Sequence, residues 1–275
     1  MASSYETILV EKDAGITWVL FNRPDKRNAM SPQLHYEMDD VLTELATDSE
    51  TKVLIITGAG DSFSAGQDLK LYFREAAKNP KERARAQHAS NQWRWHKLSN
   101  FPRPTIAMVN GFCFGGAFTQ VCACDMAIAA DEATFGLSEV NWGVIPGGIV
   151  SWNVSEMLSQ RDAMYYAMTG LPFDGKKAAE IKLVNYSVPR ARLKEETVAL
   201  AKLLAKLLAD KNPHALRATK EAIRAVRYMT HDQAHQYLAS KLQALQAVDK
   251  GGAEKGIAQF IEDKSYRPGF GTYKP

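Results

Sequence analysis

Hydrophobic positions in the first two-thirds of the chain fall into short runs that alternate with stretches of helical spacing. Residues 7–12 and 16–22 are rich in β-branched and aromatic side chains and flank Asp13-Ala14-Gly15, which predicts a hairpin. Ser31-Pro32 supplies an N-cap and a first-turn proline, and Leu34, Met38, Leu42 and Leu45 follow on one face of a helix. Residues 53–57, 105–109 and 125–130 are apolar runs of strand length, the first two closed by Gly58 and by Asn110-Gly111. Runs without alternation suit strands covered on both faces, so the pattern predicts an α/β layered core.

Beyond about residue 190 the texture becomes helix after helix. Leu193, Leu200, Leu204 and Leu207 share a face, Asn212-Pro213 restarts the chain, and Thr230-x-x-Gln233 is a capping box. The helix it opens is expected to bury Leu238, Leu242 and Leu245. The chain therefore divides into a strand-rich core at 1–190 and a helical module at 191–275, which either covers that core or packs against another subunit.

Composition narrows this picture only modestly. With 275 residues, 45% hydrophobic and 24% charged, the chain is enzyme-sized and not disordered. A net charge of +3 is too small to argue for a nucleic-acid or membrane partner. The three cysteines, Cys113, Cys122 and Cys124, are clustered and odd in number, which reads as buried thiols and not as a disulfide framework. The N-terminal stretch lacks a basic region followed by an apolar run, and the most apolar segment, 105–130, is interrupted by Asn110, Gln120 and Asp125, so a cytoplasmic location is expected.

Three segments could carry chemistry. Two are strands feeding glycine loops, at Gly58–Gly66 and at Gly111–Gly116. Their glycines let the backbone approach a ligand and turn N–H groups inward, and Gly115-Gly116 also opens a helical run. Two such loops can pair their donors on one developing oxyanion, or they can be tight turns that serve packing. The third segment sets Glu139 among apolar and aromatic neighbours, where a carboxyl pKa rises toward the range useful for proton transfer, although a lone Glu is more commonly a surface residue. The run Gly58-Ala-Gly-Asp-Ser-Phe also looks like the anion-hole motif of ribokinase-type sugar kinases, but that motif belongs late in a kinase chain. His231 and His235 on a solvated helix face are read as non-metal residues, since a zinc-protease pattern needs Glu at 232. The basic run from Arg74 to Lys97, including Arg94, reads as a solvated helix face, with Trp93 and Trp95 either core or packed over a pocket.

Taken together, Asn22-Arg-Pro-Asp-Lys-Arg-Asn-Ala-Met-Ser31, Ser64-Ala-Gly-Gln-Asp-Leu69, Pro104-Thr-Ile-Ala-Met-Val-Asn-Gly111, Phe135-Gly-Leu-Ser-Glu139 and Glu254-Lys-Gly-Ile-Ala-Gln-Phe260 resemble the crotonase (enoyl-CoA hydratase/isomerase) superfamily over almost the whole chain. The resemblance implies an α/β spiral of repeated ββα units with a C-terminal helical module. It also implies a homotrimer or dimer of trimers, and no cofactor beyond the CoA moiety of the substrate. It places the two oxyanion donors at the backbone N–H groups of Gln67 and Gly116. CoA contacts fall on Lys26, Arg27, Ala65, Gln67 and Leu69, with Phe260 and Lys264 near the adenosine end. Ordinary hydratases carry two catalytic glutamates; the positions here hold Thr119 and Glu139.

That departure agrees with a narrower resemblance. Asp68-Leu-Lys-Leu-Tyr-Phe-Arg74, Gln92-Trp-Arg-Trp95, Asn110-Gly-Phe-Cys-Phe-Gly-Gly116, Gly136–Gly143 and Lys264-Ser-Tyr-Arg-Pro-Gly269 are similar to the hydroxycinnamoyl-CoA (feruloyl-CoA) hydratase-lyases. These hydrate the thioester and cleave it to an aromatic aldehyde of the vanillin type and acetyl-CoA, with one glutamate and a small hydroxyl residue at the Thr119 position. The phenol would be held by Tyr72 and by a tyrosine of a C-terminal helix, for which Tyr237 is the nearest candidate. Trp142 and Gly143 would lie beside the substrate. A general enoyl-CoA hydratase or isomerase is the alternative within the fold.

Overall fold

Which strands are buried on both faces explains the apolar runs of the first unit. The structure is a computed structural model that describes residues 5–209, 211–249, 251–262 and 264. The hairpin forms between β1 (Ile8–Asp13) and β2 (Ile16–Phe21), with Ala14 and Gly15 both at positive φ in the turn. Next, α1 (Pro32–Thr47) opens on Ser31, whose hydroxyl accepts from the Leu34 N–H, and buries Leu34, Met38, Leu42 and Leu45 as the spacing requires.

The following strands divide between two sheets. From each pair of consecutive strands, β3 (Val53–Gly58) and β4 (Ser62–Ser64), then after α2 (Pro80–Asn91) β5 (Thr105–Val109) and β6 (Phe112–Phe114), then after α3 (Phe118–Ala123) β7 (Met126–Ala130) and β8 (Thr134–Gly136), the first member enters one sheet and the second the other. After α4 (Val150–Met157) and α5 (Gln160–Thr169), β9 (Phe173–Asp174) pairs with β8, and after α6 (Gly175–Glu180), β10 (Tyr186–Val188) pairs with β7. The larger sheet runs β1-β2-β3-β5-β7-β10 and the smaller β4-β6-β8-β9, with parallel pairing except at β1–β2 and β8–β9. Each strand pair and the helix after it are one turn of a spiral, the ββα repeat that the resemblance implies. Every residue of β3 and β5 is buried, as is expected of strands covered on both faces. The three cysteines are buried thiols.

The chain divides into two compact units, Met1–Lys202 and Leu203–Pro275, joined through α7 (Arg190–Leu208). In the second unit, Asn212 caps α8 (Pro213–Val226), and Thr230 and Gln233 form the expected reciprocal capping box at α9 (His231–Asp249). α10 (Gly252–Ile261) follows. One expectation is overturned: no residue of α8, α9 or α10 is buried, and Leu238 and Leu242 are exposed. The helical period does set these leucines on one face, but a few helices alone offer no second layer against which an apolar stripe can be buried.

Candidate active site

The two glycine loops meet. Gly66 sits at φ +89°, and a Cβ there would lie 2.8 Å from the Phe114 carbonyl oxygen and 3.4 Å from the Gly116 nitrogen, so this contact needs glycine. The first loop is fixed by the segment before α1. Met30 bridges Gln67 through Met30 N–H to Gly66 O at 2.8 Å and Asp68 N–H to Met30 O at 3.0 Å. In a parallel bridge of that register the Gln67 N–H points to the opposite side. Asn28 is fully buried and reaches across the same loop, its amide donating to Ala59 O and Ser62 O. In the second loop Gly115–Ala117 forms a short 3-10 turn leading into α3, so the Gly116 N–H lies at a helix start, where it has no partner inside the helix.

Glu139 approaches this junction from one side. It lies on the 3-10 turn Ser138–Trp142 that follows β8, and a Cβ at Gly115, which has φ +49°, would be only 2.9 Å from Glu139 Oε1. Its Oε2 is buried without a hydrogen-bond partner. Burial pushes the Glu139 pKa above the ordinary carboxylate value, and a hydrogen bond from its own backbone opposes this.

Arg94 approaches from the other side, and sequence reasoning missed it. It belongs to the basic run expected on a solvated face, yet it is 7% exposed. The chain after α2 continues as a π-helical turn, Gln92–Lys97, which turns Trp93 and Arg94 inward. Nη2 donates to Gly116 O at 2.6 Å and to Thr119 Oγ1 at 2.9 Å, and Nη1 donates to Ser90 Oγ at 3.3 Å. No carboxylate among the described residues pairs with it. Burial lowers its pKa to about 10, which leaves it charged at neutral pH. Thr119 is fully buried against it. Spacing carried the missing signal: Ala86, Ser90 and Arg94 recur every four residues beside Ala89 and Trp93, one face of a continuing helix.

A second buried polar group lies behind Gln67. Trp93 Nε1 donates to His35 Nδ1 at 2.9 Å, which puts the imidazole proton on Nε2, 2.7 Å from Gln67 Oε1. Burial, with the nearby Arg94 charge, lowers the His35 pKa to about 3, so the ring is neutral. The Gln67 amide nitrogen then donates to Ser90 Oγ at 3.3 Å.

The remaining expected residues of the first unit lie near this junction or on its exposed margin. Asp68 caps the π-helical turn Leu69–Glu75 through Lys70 and Leu71 and forms a 2.9 Å ion pair with Arg23. That turn carries Tyr72, whose ring stands edge-on to His35 at 5.2 Å. Arg27 stacks its guanidinium 4.4 Å over Phe112, and its carbonyl accepts from the exposed Ala65. Lys26 extends into solvent near Asp25, Leu69 is exposed, and Trp142 is 70% exposed next to Gly143 at φ +73°. In the second unit Tyr237 is half-buried on α9, while Phe260 and Lys264 are exposed. Residues 265–269, the rest of the terminal motif, lie outside the described residues. No group of three potential ligands for a metal occurs among the described residues.

Two adjoining glycine loops with backbone N–H groups free of their own elements, and a half-buried carboxylate beside them, suit polarisation of a carbonyl next to a proton transfer. The chain belongs to the enoyl-CoA hydratase/isomerase family, whose model matches residues 11–268. The run shared with sugar kinases falls inside that match. Within the family, the chain is 48% identical to the hydroxycinnamoyl-CoA hydratase-lyase of Pseudomonas fluorescens, over 98% of this chain and 97% of the relative. A probable enoyl-CoA hydratase of Mycobacterium tuberculosis is 35% identical over 80% of this chain and 82% of its own length. Among solved structures, an enoyl-CoA hydratase from Bacillus anthracis superposes with a TM-score of 0.79 at 27% identity, covering 94% of this chain and 97% of that one.

Proposed function

We propose that the protein adds water to the double bond of a hydroxycinnamoyl-CoA thioester and then cleaves the product to an aromatic aldehyde and acetyl-CoA. The observation that carries this reading is one half-buried carboxylate, Glu139, whose buried Oε2 has no partner, beside a glycine loop where the other catalytic position is Thr119.

The N–H groups of Gln67 and Gly116 donate to the thioester carbonyl oxygen, which draws electrons from Cβ. Glu139 removes a proton from water as its oxygen bonds to Cβ, and returns a proton to Cα. In the second half Glu139 removes the proton of the new β-hydroxyl. The Cα–Cβ bond then breaks, its electron pair forms the enolate of acetyl-CoA at the same donors, and Glu139 protonates Cα. One carboxylate suffices because it ends each half in the state in which it began, and neither half needs an electron acceptor. Tyr72 holds the para-hydroxyl of the ring, with Trp142 and Gly143 along the acyl chain. Lys26, Arg27, Ala65 and Leu69 receive the CoA. A working assembly of three copies, or of two such trimers, is part of the same reading and is supported by the exposed Ile223, Leu238 and Leu242 of the second unit. A cytoplasmic location is proposed with it. No helix among the described residues is long and apolar enough to cross a membrane.

Incubation with feruloyl-CoA and, separately, with crotonyl-CoA tests the reading. Vanillin and acetyl-CoA in equal amounts from the first, with little hydration of the second, are expected. Hydration of crotonyl-CoA with no aldehyde from feruloyl-CoA would replace it with a general hydratase.

A further inference from the structure

Arg94 is a buried cation with only neutral hydrogen-bond acceptors among the described residues. A charge in that position is expensive to keep and is usually paired or used. Its contacts are not scattered. Nη2 holds the carbonyl of Gly116, and the hydroxyl that takes Nη1 also accepts from the side chain of Gln67. Gln67 in turn is braced by His35, whose tautomer is fixed by Trp93. One hydrogen-bonded chain of side chains thus joins the two residues whose backbone N–H groups face the thioester oxygen. A Cβ on Gly116 would stand 3.2 Å from Nη2, so the positive charge also lies close behind that donor loop.

We propose that Arg94 is a positioning residue of the oxyanion site: with Ser90 it ties the Gln67 and Gly116 loops together and sets a positive charge behind the enolate formed there. The proposal rests on the reading of Gln67 and Gly116 as the donors. It gives Thr119 a second consequence, because a hydroxyl at that position accepts from the guanidinium at 2.9 Å, where a glutamate would pair with its charge and cancel it.

The test uses two readouts. In active enzyme, Arg94→Gln is expected to lower kcat for feruloyl-CoA at least 30-fold with KM within threefold, and Arg94→Lys to recover part of the loss. In the Glu139→Gln background, where turnover is slow enough to observe the bound thioester, the absorption band of bound feruloyl-CoA is expected to shift to the red through polarisation of its carbonyl. Adding Arg94→Gln should return at least half of that shift at unchanged affinity. An unchanged band, with or without a loss of kcat, overturns the proposal and leaves Arg94 a packing residue. Tight binding with no red shift in Glu139→Gln alone overturns the donor assignment itself, and the proposal falls with it. Should Arg94→Gln fail to fold, Ser90→Ala removes the shared acceptor alone, and a band identical to that of its parent then decides against the tie.

Discussion

Glu139 and Arg94 flank the same dipeptide, Gly115-Gly116, and differ in more than charge. Arg94 donates to three acceptors and is buried. Glu139 is only partly enclosed, and its buried Oε2 accepts from nothing. A buried group whose capacity is met by its surroundings holds geometry, whereas one left unmet is available to a substrate. The two sides of the loop therefore separate support from chemistry.

The comparison breaks most directly at Glu139. Glu139→Gln keeps the shape and removes the base, and turnover is expected to fall about 10²–10⁴-fold, the usual range for a general acid–base group, with little change in thioester binding. Turnover close to the parent's would assign the chemistry to another residue.

Alanine in the two glycines sharpens the contrast. At Gly115, φ is +49° and the added Cβ meets Glu139 Oε1 at 2.9 Å. The left-handed backbone alone costs an alanine about 1–2 kcal/mol, and the displaced carboxylate should change the acid limb of the pH–rate profile. At Gly116 the new Cβ meets Arg94 at 3.2 Å instead, so kcat should fall while that limb stays in place. Identical pH profiles for both variants would show that the two sides are not separate. A smaller effect is expected at the ring-binding end. Tyr72→Phe removes one hydroxyl, and the loss of a hydrogen bond worth about 0.5–1.5 kcal/mol predicts a rise in KM of roughly 2–10-fold for para-hydroxylated substrates and none for cinnamoyl-CoA.

Much of this arrangement was legible in the sequence. Strand runs such as 53–57 and 105–109 carry their own signature because both faces are covered, and Ser31 and Thr230 announce helix starts by local hydrogen bonding. Glu139 and the two glycine loops stood out because such residues are costly among apolar neighbours unless they serve a purpose. Arg94 and His35 did not. Their burial depends on a helix that turns inward and on partners 22–58 residues away, Gly116 and Thr119 for one and Gln67 and Trp93 for the other. No local pattern encodes such a pairing, and a basic residue within a basic run carries a strong prior for solvent. The exposed face of α9 failed for the converse reason: period shows which residues share a stripe, not whether a neighbouring surface covers it.

The smallest expected effect concerns stability and tests the unmet oxygen independently of catalysis. Burial raises the Glu139 pKa, so the folded protein holds that proton more tightly than the unfolded chain does. Stability is then lost as pH rises from the ordinary carboxylate value through the raised one, and the penalty persists above it. Glutamine carries no such penalty. The difference in Tm between Glu139→Gln and the parent should be close to zero near pH 4 and favour the variant by pH 8. His35 acts with the opposite sign: its pKa is lowered to about 3, so its protonation weakens the fold as pH falls below the unfolded value of about 6.5. That change is common to both proteins and cancels in the difference. A gap in Tm that grows with pH isolates the carboxylate, and a constant gap would mean that Glu139 is satisfied in solution and that its contrast with Arg94 is only one of charge.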